Sequence, residues 1–196
     1  PTRRSSDLEI ERKFLIEYPD EIWLAQQPGS RCAQLRQTYL VSETGASRRV
    51  RSWTEGGVTR WFETRKKAIT DVTREETERE ITEGEFLALL QKADPERRAV
   101  EKTRWRVPYE GHVLEIDLYP FWRTQAVLEC ELKAEDEEFE IPPEIEVLRE
   151  VTGDPRYLNS SLARSVPPED CPERRLACSA SAEQTEPDSL SAATLP

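Results

Sequence analysis

Residues 8–14 read Leu-Glu-Ile-Glu-Arg-Lys-Phe, so that charged and apolar side chains alternate along the chain. Successive side chains of a β-strand point to opposite faces of a sheet, which places Glu9, Glu11 and Lys13 on one face and Ile10 on the other. A solvated surface explains one such strand taken alone. The meaning of the pattern therefore depends on whether other strands repeat it.

The alternation recurs along most of the chain, and each segment with a period of two is predicted to be a strand. Tight hairpins are expected at Glu55-Gly56-Gly57 and at Glu110-Gly111, because glycine suits the backbone angles of such turns. The predicted strands are 8–16, 36–42, 47–54, 59–67, 73–81, 101–109, 112–119 and 126–134.

Helical patterns interrupt the strands at a few places. Thr82 and Glu85 form a capping box ahead of an apolar run, which predicts a helix over 83–92. Pro143 and Pro155 suit first helical positions. The other predicted helices are 20–26, 143–151 and 155–163.

The chain is predicted to hold one folded domain at 8–164. The N-terminus at 1–7 is expected to be disordered. The tail at 165–196 is rich in Pro, Ser, Ala and Glu and has few large apolar residues, so it is also expected to be disordered.

Each predicted strand has one charged face, and these faces together carry nearly equal numbers of basic and acidic residues. Burying an unpaired charge costs several kcal/mol, so the faces line either open solvent or a wet cavity. We favour the cavity and predict a mainly β, α+β fold: a closed eight-stranded antiparallel β-barrel whose apolar strand faces pack outward against helices. The basic residues of the predicted interior are Lys13, Arg49, Arg51, Lys66, Arg74, Lys102, Arg104, Arg106 and Lys133, and the acidic ones are Glu9, Glu11, Glu76, Glu78, Glu115, Asp117, Glu129 and Glu131.

The two signs of charge are separated along the chain. Carboxylates dominate the first and last predicted strands, and oxygen ligands of this kind suit hard divalent cations such as Mg²⁺ or Mn²⁺. Arg and Lys dominate the strands between, and they match the anionic oxygens of a polyphosphate. Phosphoryl transfer needs mainly positioning and charge neutralisation, so the pattern favours metal-dependent hydrolysis of a triphosphate.

Composition excludes several other classes of protein. The net charge of −11 argues against nucleic acids and anionic membranes as partners, since both attract positive fields. No apolar run approaches the roughly 20 residues of a membrane helix, and residues 1–7 lack the apolar stretch of a signal peptide. A cytoplasmic monomer or homodimer acting on a small-molecule triphosphate is expected.

The chain resembles the CYTH, or triphosphate tunnel metalloenzyme, superfamily, and in particular its short bacterial inorganic triphosphatases. The hallmark of that family is E-x-E-x-K on the first strand, which stands here as Glu9 to Lys13. Further segments follow in the family's order over about residues 8–164. They are Gln37-Thr38-Tyr39-Leu40, Arg49-Val50-Arg51, Thr64-Arg65-Lys66, Arg74 to Glu78, Lys102-Thr103-Arg104, Glu115-Ile116-Asp117 and Glu129-Cys130-Glu131.

The resemblance implies a role for each matched residue. Metal ligands would be Glu9, Glu11, Glu129 and Glu131. Phosphates would be bound by Lys13, Arg49, Arg51, Lys66, Arg74, Lys102 and Arg104. The catalytic set would be Lys102, Asp117 and Tyr39, although Tyr39 could equally serve packing. Glu76 and Glu78 would hold a second metal or the attacking water, or else pair with the arginines.

The function stays open at the level of the substrate. Hydrolysis of inorganic tripolyphosphate to pyrophosphate and phosphate is expected. The alternatives are an organic triphosphatase acting on thiamine triphosphate or a nucleoside triphosphate, a class IV-type adenylate cyclase, and a non-catalytic polyphosphate-binding module. Large aromatic residues are expected to pack in the core rather than to stack on a base. They are Trp53, Trp61, Trp105 and Trp122.

Overall fold

The computed structural model describes residues 10–42, 46–68 and 74–167, and within them the side chains of residues 67, 68 and 74–76 are left out. Glu9, the N-terminal segment 1–7 and the tail from residue 168 onward lie outside this description. The two predictions of disorder therefore fall almost wholly on residues that are not described.

In the described residues, nine antiparallel strands form one sheet in the order β5-β4-β3-β2-β6-β7-β8-β1-β9. The first five strands are β1 (Ile10–Glu17), β2 (Arg31–Leu40), β3 (Ala46–Glu55), β4 (Val58–Ala68) and β5 (Arg74–Ile81). The other four are β6 (Val100–Tyr109), β7 (His112–Leu118), β8 (Gln125–Leu132) and β9 (Val147–Glu150). The β3–β4 hairpin turns through Gly56 and Gly57, whose φ angles of 57° and 80° favour glycine.

The sheet is open, so the prediction of a closed eight-stranded barrel is wrong. The first and last predicted strands do pair, with Lys13 of β1 directly opposite Glu129 of β8. However, β9 pairs with the other edge of β1, with Phe14 opposite Glu150. That edge is therefore already occupied, and β5 has no second strand partner among the described residues. The mainly β class is confirmed.

The apolar face of the sheet forms a core with two helices, α1 (Glu21–Gln26) and α2 (Glu83–Leu90). Leu24 of α1 packs in a cluster with Phe14, Ile116 and Leu128. Phe86 of α2 packs in a second cluster. The predicted capping box at Thr82 and Glu85 is present, and it fixes the start of α2.

The C-terminal elements differ from the prediction. Residues 143–151 do not form a helix; they form a turn followed by β9, because backbone pairing with β1 outweighs the weak helical spacing. Residues 155–163 form a 3₁₀ turn at Pro155–Tyr157 and a short helix, α3 (Asn159–Leu162). Leu162 and Tyr157 are buried in a cluster with Tyr39, which covers one end of the opposite, charged face. None of the helices in the described ranges is long and apolar enough to cross a membrane.

Candidate functional site

Strand register places the predicted site residues that the structure describes on a single face of the sheet. Directly opposed residues share a face, so the pairs Lys13–Glu129, Glu115–Glu129 and Arg104–Asp117 link four strands. The link continues through β2 to β3, where Tyr39 lies opposite Arg49, and on to β4 and β5, where Thr64 lies opposite Glu78. We call this surface the charged face. Its described members include Glu11, Lys13, Tyr39, Arg49, Arg51, Lys66, Glu78, Lys102, Arg104, Asp117, Glu129 and Glu131.

The deepest part of the charged face is an ionic cluster around Asp117, whose side chain is fully buried. Arg104 donates to both Asp117 oxygens at 2.6 Å, and Lys102 Nζ contacts Oδ2 of the same carboxylate. Burial alone would raise the pKa of Asp117, but these two cations hold it below its usual range. Asp117 therefore remains an anion and fixes the two basic side chains.

Lys102 differs electrostatically from an ordinary lysine. Burial and the neighbouring charge of Arg104 lower its pKa, and Asp117 only partly offsets them. Its ammonium group also lies 5.7 Å from the ring centre of Tyr119. The proton on Nζ is accordingly easier to release than that of a surface lysine.

Glu129 connects this cluster to the carboxylates of β1. It accepts from Arg104 Nη2 at 2.8 Å and pairs with Lys13 Nζ at 2.9 Å. Lys13 also approaches Glu11 at 3.4 Å. Burial would lower the pKa of Lys13, yet the two carboxylates outweigh it and raise the pKa.

Glu11 and Glu131 lie directly opposite each other on β1 and β8, and both are exposed. Like charges in directly opposed positions destabilise a sheet unless a cation lies between them. Glu131 forms no ion pair with any described residue. This pair is therefore the part of the charged face that most needs a counter-ion.

The basic side of the face lies on β3. Arg49 donates to the side chain of Gln37 at 3.1 Å, and Gln37 in turn donates to the Tyr39 hydroxyl at 2.8 Å. Arg51 donates to both oxygens of Glu78 at 3.1 and 3.2 Å. The Nε atoms of both arginines are buried and have no hydrogen-bond partner among the described residues. Buried N–H groups usually have acceptors, so two guanidinium groups on this strand retain donor capacity.

The remaining predicted residues are placed less completely. Glu78 accepts hydrogen bonds from the Thr64 hydroxyl at 2.7 Å and from Arg51. Of the two roles considered for Glu78, the structure therefore shows the pairing with an arginine. Lys66 lies on β4 opposite Glu76 of β5. The side chains of Arg74 and Glu76 lie outside the described residues, as does Glu9.

Comparisons with known proteins show which family the chain belongs to. No family model matches the chain. An inorganic triphosphatase of Acetivibrio thermocellus is 34% identical over 158 residues, which cover 80% of this chain and 94% of that protein. The chain belongs to the inorganic triphosphatase family. This membership fits the CYTH resemblance drawn from its motifs.

Two further relatives support the same family. An inorganic triphosphatase of Nitrosomonas europaea is 35% identical over 163 residues, covering 81% of this chain and 99% of that protein. The crystal structure of the inorganic triphosphatase NE1496 superposes with a TM-score of 0.54 at 32% identity. That match covers 82% of this chain and 97% of that chain. The regions matched to these two proteins therefore include most of this chain.

Only some of the carboxylates on the charged face are placed so that they could bind a divalent cation. In the described ranges, no three histidine, cysteine or carboxylate side chains gather closely enough to hold a metal ion. Glu129 is occupied by Lys13 and Arg104, whereas the exposed pair Glu11 and Glu131 is open to a cation. Carboxylate oxygens are the ligands that Mg²⁺ and Mn²⁺ prefer, so these two residues fit such an ion.

Sequence reasoning missed the environment of Tyr39 and of Trp53. Tyr39 is buried in the cluster that contains Tyr157 and Leu162, with the Arg97 guanidinium 5.0 Å from its ring centre. Burial raises the pKa of its hydroxyl, which stays protonated. Trp53 lies on the charged face between two arginines, so the expectation of core packing is wrong for it. Of the tryptophans expected to pack in the core, the others do pack with the apolar clusters: Trp61, Trp105 and Trp122.

A second missed feature lies on the opposite face. The Glu63 carboxylate is buried and accepts from Arg48 at 2.5 Å, Arg65 at 2.8 Å and Arg79 at 2.9 Å. Burial opposes ionisation, yet the three arginines lower its pKa to about 2. Because Glu63 faces away from the predicted site, we assign it to the stability of β3, β4 and β5. No short-range signal in the sequence marks this cluster, since its members come from three strands.

Proposed function

We propose that the chain hydrolyses inorganic tripolyphosphate to pyrophosphate and orthophosphate with the help of a divalent metal ion. The observation that carries this proposal is the charged face itself: arginines with unused N–H donors lie on one side of the buried ionic cluster, and the exposed carboxylates Glu11 and Glu131 lie on the other side. Membership of the inorganic triphosphatase family supports the same substrate.

The phosphate groups would lie against the basic side of the face. Arg49 and Arg51 have buried N–H groups without acceptors, and an anionic phosphate oxygen would satisfy them. Arg104 and Lys102 are held by Asp117 and would bind the adjoining phosphate without reorganising. Lys13, Lys66 and Arg74 complete the proposed phosphate-binding set.

The metal would be held by Glu11 and Glu131, with Glu129 and the undescribed Glu9 as further ligands. When bound, the ion would neutralise phosphate charge and lower the pKa of the attacking water. Lys13 is positioned between Glu11 and Glu129 and would keep both carboxylates oriented. A second site at Glu76 and Glu78 is less favoured, because Glu78 already pairs with Arg51.

Lys102 is the residue we assign to proton transfer. Its lowered pKa favours release of the Nζ proton to the oxygen of the departing phosphate. Asp117, fully ionised, would hold the ammonium in place until that step. Tyr39 keeps its proton and reaches the site through Gln37, so its proposed part is to orient Arg49.

The proposal is tested with purified protein and Mg²⁺ or Mn²⁺, offered tripolyphosphate, pyrophosphate, ATP and thiamine triphosphate in parallel. Orthophosphate, pyrophosphate and cyclic AMP are measured. We expect tripolyphosphate to be turned over with the highest kcat/KM. Faster turnover of ATP or thiamine triphosphate would contradict the inorganic substrate, and binding without turnover would contradict the enzyme.

The metal assignment is tested by Glu11→Gln and Glu131→Gln. Glu101→Gln is the matched control, because Glu101 is an exposed glutamate on the opposite face of β6. Mn²⁺ binding measured by calorimetry should weaken at least tenfold in each test variant and stay unchanged in the control. Equal Mn²⁺ affinity in all four proteins would contradict the assignment.

A further inference from the structure

The aromatic ring of Tyr119 lies beside Lys102, the residue assigned to proton transfer. The Lys102 ammonium group is 5.7 Å from the centre of this ring, within the roughly 6 Å at which an aromatic face attracts a cation. Tyr119 directly follows β7, two positions after Asp117, whose carboxylate contacts the same ammonium group. Asp117 and Tyr119 therefore approach one cation from the same end of β7.

Three contacts fix the Tyr119 ring. Phe121 stacks against it with the ring centres 5.0 Å apart, and Trp122 meets it edge-on at 5.5 Å. The Tyr119 hydroxyl donates to Asn159 Oδ1 at 2.9 Å. Asn159 is the first residue of α3, so this helix is connected to Lys102 through a single aromatic ring.

Tyr119 is not itself a proton donor at neutral pH. Burial and the nearby charges of Asp117 and Glu129 raise the pKa of its hydroxyl well above the usual range. The side chain is therefore neutral and presents an electron-rich ring. Such a ring attracts an ammonium group but not a neutral amine, so it favours the protonated form of Lys102.

The other groups around Lys102 act on its charge in both directions. Asp117 on β7 and Glu129 on β8 favour the ammonium form, whereas burial and Arg104 on β6 disfavour it. On β2, the uncharged Leu35 lies directly opposite Lys102. The ammonium form is disfavoured overall, so a contact that stabilises it decides in part whether Lys102 still holds its proton when the phosphate departs.

We infer that Tyr119 is a positioning residue for Lys102, held in place by Asn159, and that it keeps the ammonium group protonated and in position until the proton is released. This inference rests on the proposed triphosphatase activity. In the reaction, the oxygen of water bonds to phosphorus, the bond from phosphorus to the departing oxygen breaks, and the Nζ proton of Lys102 passes to that oxygen. Solvent takes up the proton that the water loses and returns one to Lys102.

The first measurement does not depend on turnover. Protein labelled with ¹³C at the lysine ε-carbons is titrated by NMR, and the Lys102 signal is identified by its loss in Lys102→Met. In Tyr119→Leu the titration of Lys102 should move to lower pH, because leucine keeps the amine buried but offers no aromatic face. Tyr119→Phe keeps the ring and should titrate like the wild type.

Tyr157→Leu is the matched control. Tyr157 is a buried tyrosine of the same cluster, but its ring lies against Arg149 and Arg156 instead of Lys102. Tyr157→Leu should lose stability, as Tyr119→Leu does, and leave the titration of Lys102 unchanged.

Two variants test the part assigned to Asn159. Asn159→Ala leaves the buried Tyr119 hydroxyl without its acceptor, so the ring should shift and the titration of Lys102 should move to lower pH. In Asn159→Ala/Tyr119→Phe the hydroxyl is absent as well, and the wild-type titration should return.

The second measurement is the pH profile of kcat on tripolyphosphate with Mg²⁺. Lys102 acts in its protonated form, so activity should fall as the pH rises through the pKa of Lys102. Tyr119→Leu should therefore move the alkaline limb to lower pH and reduce kcat about tenfold at pH 8, because proton transfer is only partly lost. KM should stay within about twofold, since the phosphate contacts remain.

Failure of this inference is separable from failure of the proposed function. An unchanged titration of Lys102 in Tyr119→Leu, or an equal shift in Tyr157→Leu, would overturn the inference. An unchanged titration in Asn159→Ala would overturn the part assigned to Asn159, and an alkaline limb that stays in place in Tyr119→Leu would overturn the role in proton release. If the wild type hydrolyses no triphosphate, the proposed function fails, and the NMR titration still decides whether Tyr119 acts on Lys102.

Discussion

Substitution of Asp117 by Asn tests the buried ionic cluster most severely. The side chain is fully buried and holds Lys102 and Arg104. Arg104 retains Glu129 and Glu115 in the variant, whereas Lys102 loses the one carboxylate that contacts it in the described residues. Removing one partner of a buried ion pair costs about 3–5 kcal/mol, so we expect a loss of about 4 kcal/mol in the free energy of unfolding at pH 7.

The pH dependence of this loss identifies its cause. Without Asp117, the Lys102 ammonium group is a buried, unpaired charge, and loss of its proton removes that charge. For a lysine of ordinary pKa, loss of the proton costs ~5 kcal/mol at pH 7 and ~2 kcal/mol at pH 9. Asp117 raises the pKa of Lys102, so its loss lowers that pKa further below the ordinary value, and the deficit relative to the wild type shrinks as the pH rises. Urea unfolding of Asp117→Asn should therefore show a deficit at pH 9 of about 2 kcal/mol.

Two further variants complete the test. Lys102→Met in the Asp117→Asn background should recover part of the lost stability at pH 7, because the buried unpaired charge is gone. The control Asp136→Asn alters an exposed carboxylate and should change stability by less than about 0.5 kcal/mol. An equal deficit at both pH values, or no recovery with methionine, would refute the reasoning.

Three other variants are predicted. Glu63→Gln should lower the free energy of unfolding by about 2 kcal/mol at pH 7, after allowing for solvent screening at its arginines. The difference in stability from the wild type should disappear as the pH falls from about 4.5 to 2, because a carboxylate with a lowered pKa stabilises the fold only while it is ionised. Urea unfolding at pH 7 and pH 3 measures both effects. Thr82→Ala removes a side-chain cap and should cost about 1 kcal/mol, measured in the same way, and no loss would show that the capping box contributes nothing. Arg51→Lys loses the planar group that contacts Glu78 and should raise the KM for tripolyphosphate about tenfold, whereas an unchanged KM would exclude Arg51 from the phosphate site.

The two faces of the sheet were predictable from the sequence because side-chain direction follows directly from a period of two. The described strand residues assigned to the charged face lie there, from Glu11 on β1 to Glu78 on β5, whereas Lys133 lies beyond the end of β8. The hairpins and the capping box were predictable for a similar reason, since their signals are local. The local sequence pattern was therefore sufficient to predict on which face of the sheet the site residues lie.

Closure of the sheet and the C-terminal elements were not predictable in this way. Whether β1 pairs with β9 or with another strand depends on long-range competition between edges, which alternation does not encode. Residues 143–151 carry a proline and apolar spacing that suit a helix, but the free edge of β1 selects a strand there. The position of Trp53 likewise depends on arginines from other strands, so its contacts with Arg51 and Arg106 could not be read from its own segment.

The most direct test of the central claim is the rate of orthophosphate release from tripolyphosphate by the purified chain as Mg²⁺ is titrated. On the charged face, the exposed carboxylate pair Glu11 and Glu131 lies across the buried ionic cluster from arginines with unused N–H donors. This arrangement predicts turnover that rises with Mg²⁺, stops on chelation and is lost in Glu131→Gln. Release that is absent at every Mg²⁺ concentration, or that is unaffected by both chelation and Glu131→Gln, would contradict it.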